Sequence, residues 1–464
     1  MSRLLISAAH KSSGKTTVSI GLCAALKQRG LAVQPFKKGP DYIDPMWLST
    51  ASGRTCRNLD FYLMSGGEIV ANFARYSAGA DFSLIEGNKG LYDGLNLDGS
   101  NSNAALANLL QAPVVLVIDA RGMTRGIAPL ILGYQAFDPA IRIAGVILNK
   151  LGGARHEGKL RAVIEHYTDV PVIGAVHHDP RLEIVERHLG LVPSNEADAA
   201  LRRTGEIGAL IGAQVDLARL LQVGADAPPL PRPDFPAEET FSPASGTKVR
   251  IGLVRDRAFG FYYADDLDAL EAAGAELVPV DAVNDANLPP LDGLFIGGGF
   301  PELLMDELEA NCAMREQMRH AIENGLPVYA ECGGLMYLAR SLTWRGKTRQ
   351  MAGVIPGDVV MHDKPVGRGY VRLRETLAHP WPEAEGGAIR LAHEFHYSSL
   401  ENLPAGITYA YEMERGAGID GQHDGLVYKN LLASYSHFRS LHGYNWARRF
   451  VAYVRRVMAG GKTD

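Results

Sequence analysis

The sequence predicts an α/β protein of two domains: a P-loop parallel-sheet domain, then a second α/β domain. Three observations predict it. Short apolar, β-branched runs alternate with longer stretches of helical length and period. A Gly-Lys-Thr triplet stands between the first such run and the first helical stretch. A proline-rich segment interrupts the alternation near the middle of the 464 residues.

In the first half, RLLISAA, FSLIEG, APVVLVIDA, IRIAGVILN and VPVIGAV read as buried strands. Their near-continuous apolar character is what a sheet covered on both faces requires. Residues 225–247, ADAPPLPRPDFPAEETFSPASGT, are rich in proline and lack apolar periodicity, so they read as an extended linker. The expected domains are therefore residues 1–224 and 248–464. In the second, VRIGLVRD is an expected strand, YYADDLDALEAAGAEL a helix, LDGLFIGGG a strand ending in glycines, and PVYAE a strand running into CGG. No internal repeat competes with this division.

Hydrophobic content of 46% and charged content of 21% describe a globular protein too long for one ordinary core. A net charge of -5 offers no general attraction to nucleic acid or an acidic membrane, so neither is an expected partner. Cys23, Cys56, Cys312 and Cys332 form no CxxC pair, which argues for a reducing compartment without a disulfide framework or zinc site. The polar N-terminus and the absence of 18 uninterrupted apolar residues predict no signal peptide and no membrane span. A cytoplasmic location is expected.

The stretch ISAAHKSSGKTTVSIGLCAALKQRG sets a strand before Gly14-Lys15-Thr16 and a helix after it, closed by Gly30. Amides at such a helix start face an anion, Lys15 reaches terminal phosphates, and the Thr16 hydroxyl can ligate magnesium. Ala9 replaces the first glycine of G-x-x-x-x-G-K-T, so the literal pattern fails by one residue. PFKKGPDYIDP follows, with Lys37 and Lys38 beside Asp41 and Asp44. Alone this is an ordinary turn composition; after a phosphate loop it reads as part of a magnesium and substrate site.

Glu86 ends the strand FSLI and opens EGNKGLYDG. Ligands gather at strand C-termini in doubly wound sheets, so a carboxylate there is placed to hold magnesium near a nucleotide. Asp119, at the end of VVLVID, is a second candidate by the same reasoning.

In YAECGGLMYL, Cys332 stands between a strand and a helix, a nucleophile-elbow position where the helix start lowers a thiol pKa. The bland alternative is a small buried hydrophobe. Gly297, Gly298 and Gly299 of FIGGGFPE could offer amides for an oxyanion hole. A base is needed, and HEFH (His393, His396) and SYSHFRSLHG (His437, His442) supply histidines. His437, after the apolar run GLVYKNLLASY, suits a strand end beside the elbow. HEFH is one residue short of a zinc-protease motif, so its zinc reading is weak.

Taken together, the chain resembles the cobyrinic acid a,c-diamide synthase family, whose members join a dethiobiotin-synthetase-like ATP domain to a class I, triad-type glutamine amidotransferase domain. The resemblance rests on SSGKTT, QPFKKGPDYIDP, EG-x-x-GLYDG, VLVIDARGM, AGVILN, GGGFPE, ECGGLMYL, HEFHYS and SYSH in the expected order. It implies a flavodoxin-like second domain. It places Ser13, Gly14, Lys15, Thr16, Thr17 and Lys37 on ATP, and Thr16, Glu86 and Asp41 on magnesium. Asp41 and Asp93 would serve carboxylate activation, and Tyr42, Asp44 and Lys89 the substrate. Cys332 falls on the glutaminase nucleophile, His437 on its base, and Gly298 and Gly299 on the oxyanion hole. Many class I amidotransferases carry a Glu two residues after this histidine; Arg439 stands there, so a Cys-His pair without a third member is expected.

The resemblance implies that ATP converts a substrate carboxylate to an acyl phosphate, which ammonia released from glutamine displaces. The substrate would be a tetrapyrrole, cobyrinate first. Asn88 and Lys89 stand where the family usually has apolar residues, so sirohaem or nickel sirohydrochlorin is an alternative substrate. A partition- or chaperone-type ATPase with an inactive appended domain is the alternative from another class; His10 stands at its signature-lysine position. The sequence leaves the assembly open, a homodimer being one possibility.

Overall fold

A computed structural model describes residues 1–184, 186–187, 190–191, 197–232, 247–383 and 386–460. The chain forms two compact units, Met1–Ala237 and Glu238–Asp464. Much of the proline-rich segment assigned as the linker lies outside the described residues.

The first unit is built on seven parallel strands: β1 (Arg3–Ala8), β2 (Val33–Lys38), β3 (Arg57–Leu59), β4 (Phe82–Glu86), β5 (Val114–Asp119), β6 (Ile143–Leu151) and β7 (Val172–His177). Helices α1 (Lys15–Gln28), α2 (Ile43–Ser52), α3 (Gly66–Ser77), α4 (Asn103–Leu109), α5 (Ile127–Phe137) and α6 (Ala154–Tyr167) connect them. The spatial order is β3-β2-β4-β1-β5-β6-β7. Strand interiors such as Leu4, Leu5, Ile6, Leu84, Ile85, Val115, Leu116 and Val117 are fully buried, as a doubly covered sheet demands. Strands β2 and β3 were not expected: polar Gln34, Lys37 and Lys38 hide the apolar pattern of β2, and β3 is three residues long. The order has a functional result. Neighbouring strands β2, β4 and β1 end, respectively, at Lys37-Lys38, at Glu86 and at the phosphate loop.

Two short strands, β8 (Glu186–Arg187) and β9 (Gly190–Leu191), pair beyond this sheet, and helices α7 (Ala197–Gly212) and α8 (Leu217–Ala225) complete the unit.

The second unit carries a nine-stranded mixed sheet. Its parallel part comprises β10 (Val249–Val254), β12 (Ala275–Val280), β13 (Gly293–Ile296), β15 (Val328–Glu331) and β24 (Leu431–Ser434). Strands β23 (His423–Tyr428), β22 (Thr408–Arg415), β19 (Gly367–Glu375) and β20 (Ile389–His396) extend it antiparallel beyond β24. Successive residues alternate between two cores: Leu294, Ile296, Val328, Ala330, Leu431 and Ala433 on one face, Phe295, Tyr329 and Leu432 on the other. A four-stranded sheet of β16 (Ala339–Trp344), β17 (Lys347–Gln350), β18 (Ile355–Met361) and β21 (Ser398–Glu401) is separate from it, and β11 (Phe259–Phe261) pairs antiparallel with β14 (Gly298–Gly299). The antiparallel strands are an addition to the expected architecture. Helix α9 (Ala264–Ala272) is shorter than the predicted helix at both ends, and α10 (Met305–Ala310) follows the glycine turn.

Candidate active site

Gly14 caps α1 with φ 89, a left-handed value that glycine adopts freely. A Cβ there would lie 2.1 Å from Asn149 Nδ2, so the loop also needs the missing side chain. Ser13 is buried, its hydroxyl donating to His10 O at 2.8 Å. Two residues at the end of β6 brace the loop: Asn149 Nδ2 donates to Ser13 O at 2.8 Å, and Lys150 Nζ to Ser12 O at 2.8 Å. Thr17 lies half-buried in the first turn of α1.

Thr16, Lys37, Asp44 and Glu86 converge. Thr16 Oγ1 donates to Glu86 Oε1 at 2.7 Å and is 3.3 Å from Asp44 Oδ2. Lys37 Nζ lies 2.5 Å from Asp44, 2.9 Å from Glu86 and 3.8 Å from Asp41. Burial opposes the Lys37 charge, but Asp44 and Glu86 outweigh it and raise its pKa. Burial holds Glu86 above the usual carboxylate range, with Lys37 pulling the other way. Asp41 Oδ1 accepts from the Ile43 and Asp44 amides at the start of α2, while Tyr42 is buried at its N-cap. Burial and the nearby Asp44 push the Asp41 carboxyl up.

These oxygens suit magnesium. Glu86 Oε2 is buried without a hydrogen-bond partner among the described residues, and Oε1 already shares Thr16 Oγ1 with Asp44. No cage of three or more acidic, His or Cys side chains is present among the described residues. Magnesium needs no such cage, since it commonly binds one or two carboxylates plus phosphate and water. Asp119 is not part of this cluster: Arg121 Nη2 at 2.8 Å and Lys150 Nζ at 3.1 Å engage it. Burial works against its charge, yet those contacts hold it down to about 2.

Burial, reinforced by Lys37, lowers the Lys15 ammonium to about 8. A bound triphosphate would restore a high value, so binding takes up a proton above pH 8. ATP affinity is therefore expected to be retained below pH 8 and to fall above it, by up to about tenfold per pH unit. Calorimetric titration on either side of pH 8 measures this; equal affinities would remove Lys15 from phosphate contact.

The EGNKG loop is held by buried Asn103, whose Oδ1 accepts from Asn88 N at 3.1 Å and whose Nδ2 donates to Asn88 O and Gly90 O. Asp93 is exposed and closes the turn, Oδ2 accepting from Gly90 N at 2.9 Å. Lys89 is exposed at φ 41 on this pinned backbone, so its side chain is free to meet a ligand.

In the second unit, the glycine turn, Cys332 and His437 follow the C-terminal ends of adjacent strands β13, β15 and β24. Cys332 caps helix α12 (Gly333–Leu338) at φ 47, a strained elbow geometry for a residue with a side chain. Its amide donates to Ser434 O at 2.7 Å. Cβ atoms on Gly333 and Gly334 would lie 2.9 Å from Gly299 N and 2.3 Å from Ile296 O, so the elbow packs directly on the glycine turn. A Cβ on Gly298 would meet His437 at 2.8 Å. Gly297 drops out as an oxyanion donor because its amide donates to Tyr262 Oη at 3.0 Å.

His437 is buried and hydrogen-bonded to Cys332. Burial opposes its charge, but Cys332 and Glu331 raise it to about 10. The expected pair without a third member is corrected: His437 Nδ1 lies 3.0 Å from Glu331 Oε2. Sequence reading passed over Glu331, although an acid ending an apolar strand was the signal used for Glu86. Asn149 and Lys150 also stand near the end of an apolar strand, but as an amide and a cation they lack the acid that marks Glu86; Asn103, in the first turn of a helix, carries no such signal. His393 stacks on His437 at 5.0 Å and bonds to Tyr263 Oη, whereas His396 stacks on Tyr435. Three apart on one strand, they face opposite sides and make no metal pair. His442 is exposed.

Residues 5–192 match the CobQ/CobB/MinD/ParA nucleotide binding domain, and residues 250–444 the CobB/CobQ-like glutamine amidotransferase domain. Cobyrinate a,c-diamide synthase of Magnetococcus marinus is 47% identical, over 96% of this chain and 95% of its own. The enzymes of that name from Methanosarcina acetivorans and Archaeoglobus fulgidus are 44% and 40% identical, covering 95% and 97% of this chain and 92% and 96% of theirs. Among the described residues no helix is long and apolar enough to cross a membrane. With both domain types matched and identity this high across nearly the whole length, the chain belongs to the cobyrinate a,c-diamide synthase family.

Proposed function

We propose that this protein is an ATP-dependent carbon–nitrogen ligase that amidates the a and c acetate carboxylates of cobyrinate with nitrogen from glutamine. One observation carries the reading: a single chain assembles a phosphate-and-carboxylate cluster in one sheet and a Cys-His elbow in the other. That is the pair of sites needed to activate a carboxylate and release ammonia for it. The assembled Cys332 and His437 also speak against an ATPase with an inactive appended domain.

In the first unit Lys15 and the amides after Gly14 hold the ATP phosphates. Thr16 and Glu86, with Asp41 nearby, would hold magnesium, which when bound offsets charge on the transferred phosphoryl group. Lys37 neutralises the carboxylates around it, and Asp41, Asp93, Tyr42, Asp44 and Lys89 orient the substrate. A carboxylate is a poor acyl donor because its leaving group would be oxide, so phosphorylation precedes amidation. In the second unit the Cys332 thiolate attacks the glutamine side-chain carbonyl, while Gly298 and Gly299 receive the oxyanion. His437 protonates the departing ammonia, and water then hydrolyses the thioester to glutamate. The ammonia displaces phosphate from the acyl phosphate. A cytoplasmic location suits the free cysteines Cys23, Cys56, Cys312 and Cys332.

The test incubates the protein with ATP, magnesium, glutamine and either cobyrinate or sirohaem, and counts new amides by mass spectrometry. Cobyrinate should gain two, as the a,c-diamide requires. Conversion of sirohaem alone would overturn the substrate assignment. In the same assay Lys89→Met should change the kcat/KM ratio between the two tetrapyrroles by about tenfold, the scale of one partly exposed charge contact. An unchanged ratio would remove Lys89 from the choice of substrate.

A further inference from the structure

We infer that Glu331 is the positioning carboxylate of the glutaminase site, replacing the acid that many class I amidotransferases carry two residues after the histidine. The inference rests on the amidotransferase reading above. Both Glu331 oxygens are engaged. Oε2 faces His437 Nδ1 at 3.0 Å, while Oε1 accepts from Tyr329 Oη at 2.5 Å and from Phe438 N at 3.2 Å. Glu331 and His437 are each 3% exposed, so water does not screen the pair.

The position that usually supplies the acid is unavailable. Arg439 Nη2 donates to Asp265 at 2.6 Å, and its guanidinium lies 4.7 Å from the centre of the Tyr263 ring. Strand pairing explains how a residue adjacent to the nucleophile reaches the base. Glu331 stands opposite Ser434 in the β15–β24 ladder, three residues before His437. The register that brings Cys332 to the end of β24 therefore brings Glu331 to the same histidine. With Nδ1–H committed to Glu331, Nε2 is the ring nitrogen left for Cys332, which selects the tautomer the reaction needs. His393, stacked at 5.0 Å, covers one face of the ring.

Full-length Glu331→Gln and Glu331→Asp are to be compared with wild type, with ATP, magnesium and cobyrinate present and either glutamine or ammonium as nitrogen source. Gln keeps the shape and one acceptor oxygen. Glu331→Gln should lower glutamine-dependent kcat by about 10²-fold or more, with glutamine KM and ammonium-dependent turnover nearly unchanged. Glu331→Asp should restore part of the loss. The groups around the ring are Cys332, Glu331 and His393, with Tyr329 on Glu331 and Tyr263 and Arg439 on His393. Of these, the substitution removes only the Glu331 charge. The pH at half-maximal alkylation of Cys332 by iodoacetamide, followed by peptide mass spectrometry, should accordingly move upward.

A wild-type glutamine-dependent rate in Glu331→Gln overturns the inference. So does an unmoved alkylation profile, or equal loss of both nitrogen sources, which marks a structural role. If wild type itself uses ammonium but not glutamine, the amidotransferase reading fails first.

Discussion

Replacing Cys332 with alanine is expected to lower glutamine-dependent amidation by about 10⁴-fold or more, while ammonium-dependent amidation stays within about twofold of wild type. The second unit offers one other cysteine to the proposed nucleophile's role, Cys312, exposed at the start of helix α11 (Cys312–Glu323); Cys23 and Cys56 are buried in the first unit. Alanine keeps the β-carbon at φ 47, so the elbow retains its strain and its packing on Gly299. Supplied ammonia bypasses the thioester and meets an intact synthetase unit. Steady-state rates with each nitrogen source, on one protein preparation, check the split. Undiminished glutamine use by this variant would remove Cys332 from the chemistry.

Replacing Glu86 with glutamine should have the complementary result, lowering amidation from either nitrogen source by about 10²–10³-fold, the scale seen when one electrostatic contact to a charged transition state is lost. Glu86 is fully buried, and its Oε1 joins Thr16 to Lys37. The substitution removes the charge of a carboxylate whose Oε2 is buried and without a hydrogen-bond partner among the described residues, and it leaves Lys37 balanced by Asp44 and partly exposed Asp41. Magnesium dependence is the second readout. The concentration needed for half-maximal rate should rise, whereas glutamine hydrolysis, located in the other unit, should persist. Equal magnesium requirements in variant and wild type would move the metal away from Glu86.

Residues whose role is local are legible in the sequence. Lys15 and Thr16 follow a strand and open a helix, so local backbone geometry alone sets them at the proposed phosphate site. Cys332 stands between an apolar run and a glycine pair, and that context implies its elbow conformation. Residues whose role depends on strand neighbours are less so. Asp119 carries the same strand-end signal as Glu86, but Arg121 and Lys150 occupy it. Glu331 escapes notice when the third member is sought at position 439, where sequence spacing in other amidotransferases puts it. The antiparallel strands β19, β20, β22 and β23 escape as well, being half-exposed and mixed in composition.

The two kinds of site are written in the sequence, because phosphate loops and nucleophile elbows are built from a few consecutive residues whose backbone and side-chain chemistry act together; the reaction that joins them comes from the family resemblance those motifs carry. Which acid stands beside which base or cation is set by the folded sheet order. Lys37 meets Glu86 because β2 and β4 are neighbours, and His437 meets Glu331 because β24 pairs with β15. The physical reason is the same in both units. A buried charge is tolerated only beside its partner, and strand order and register, which join residues far apart in the chain, set who that partner is.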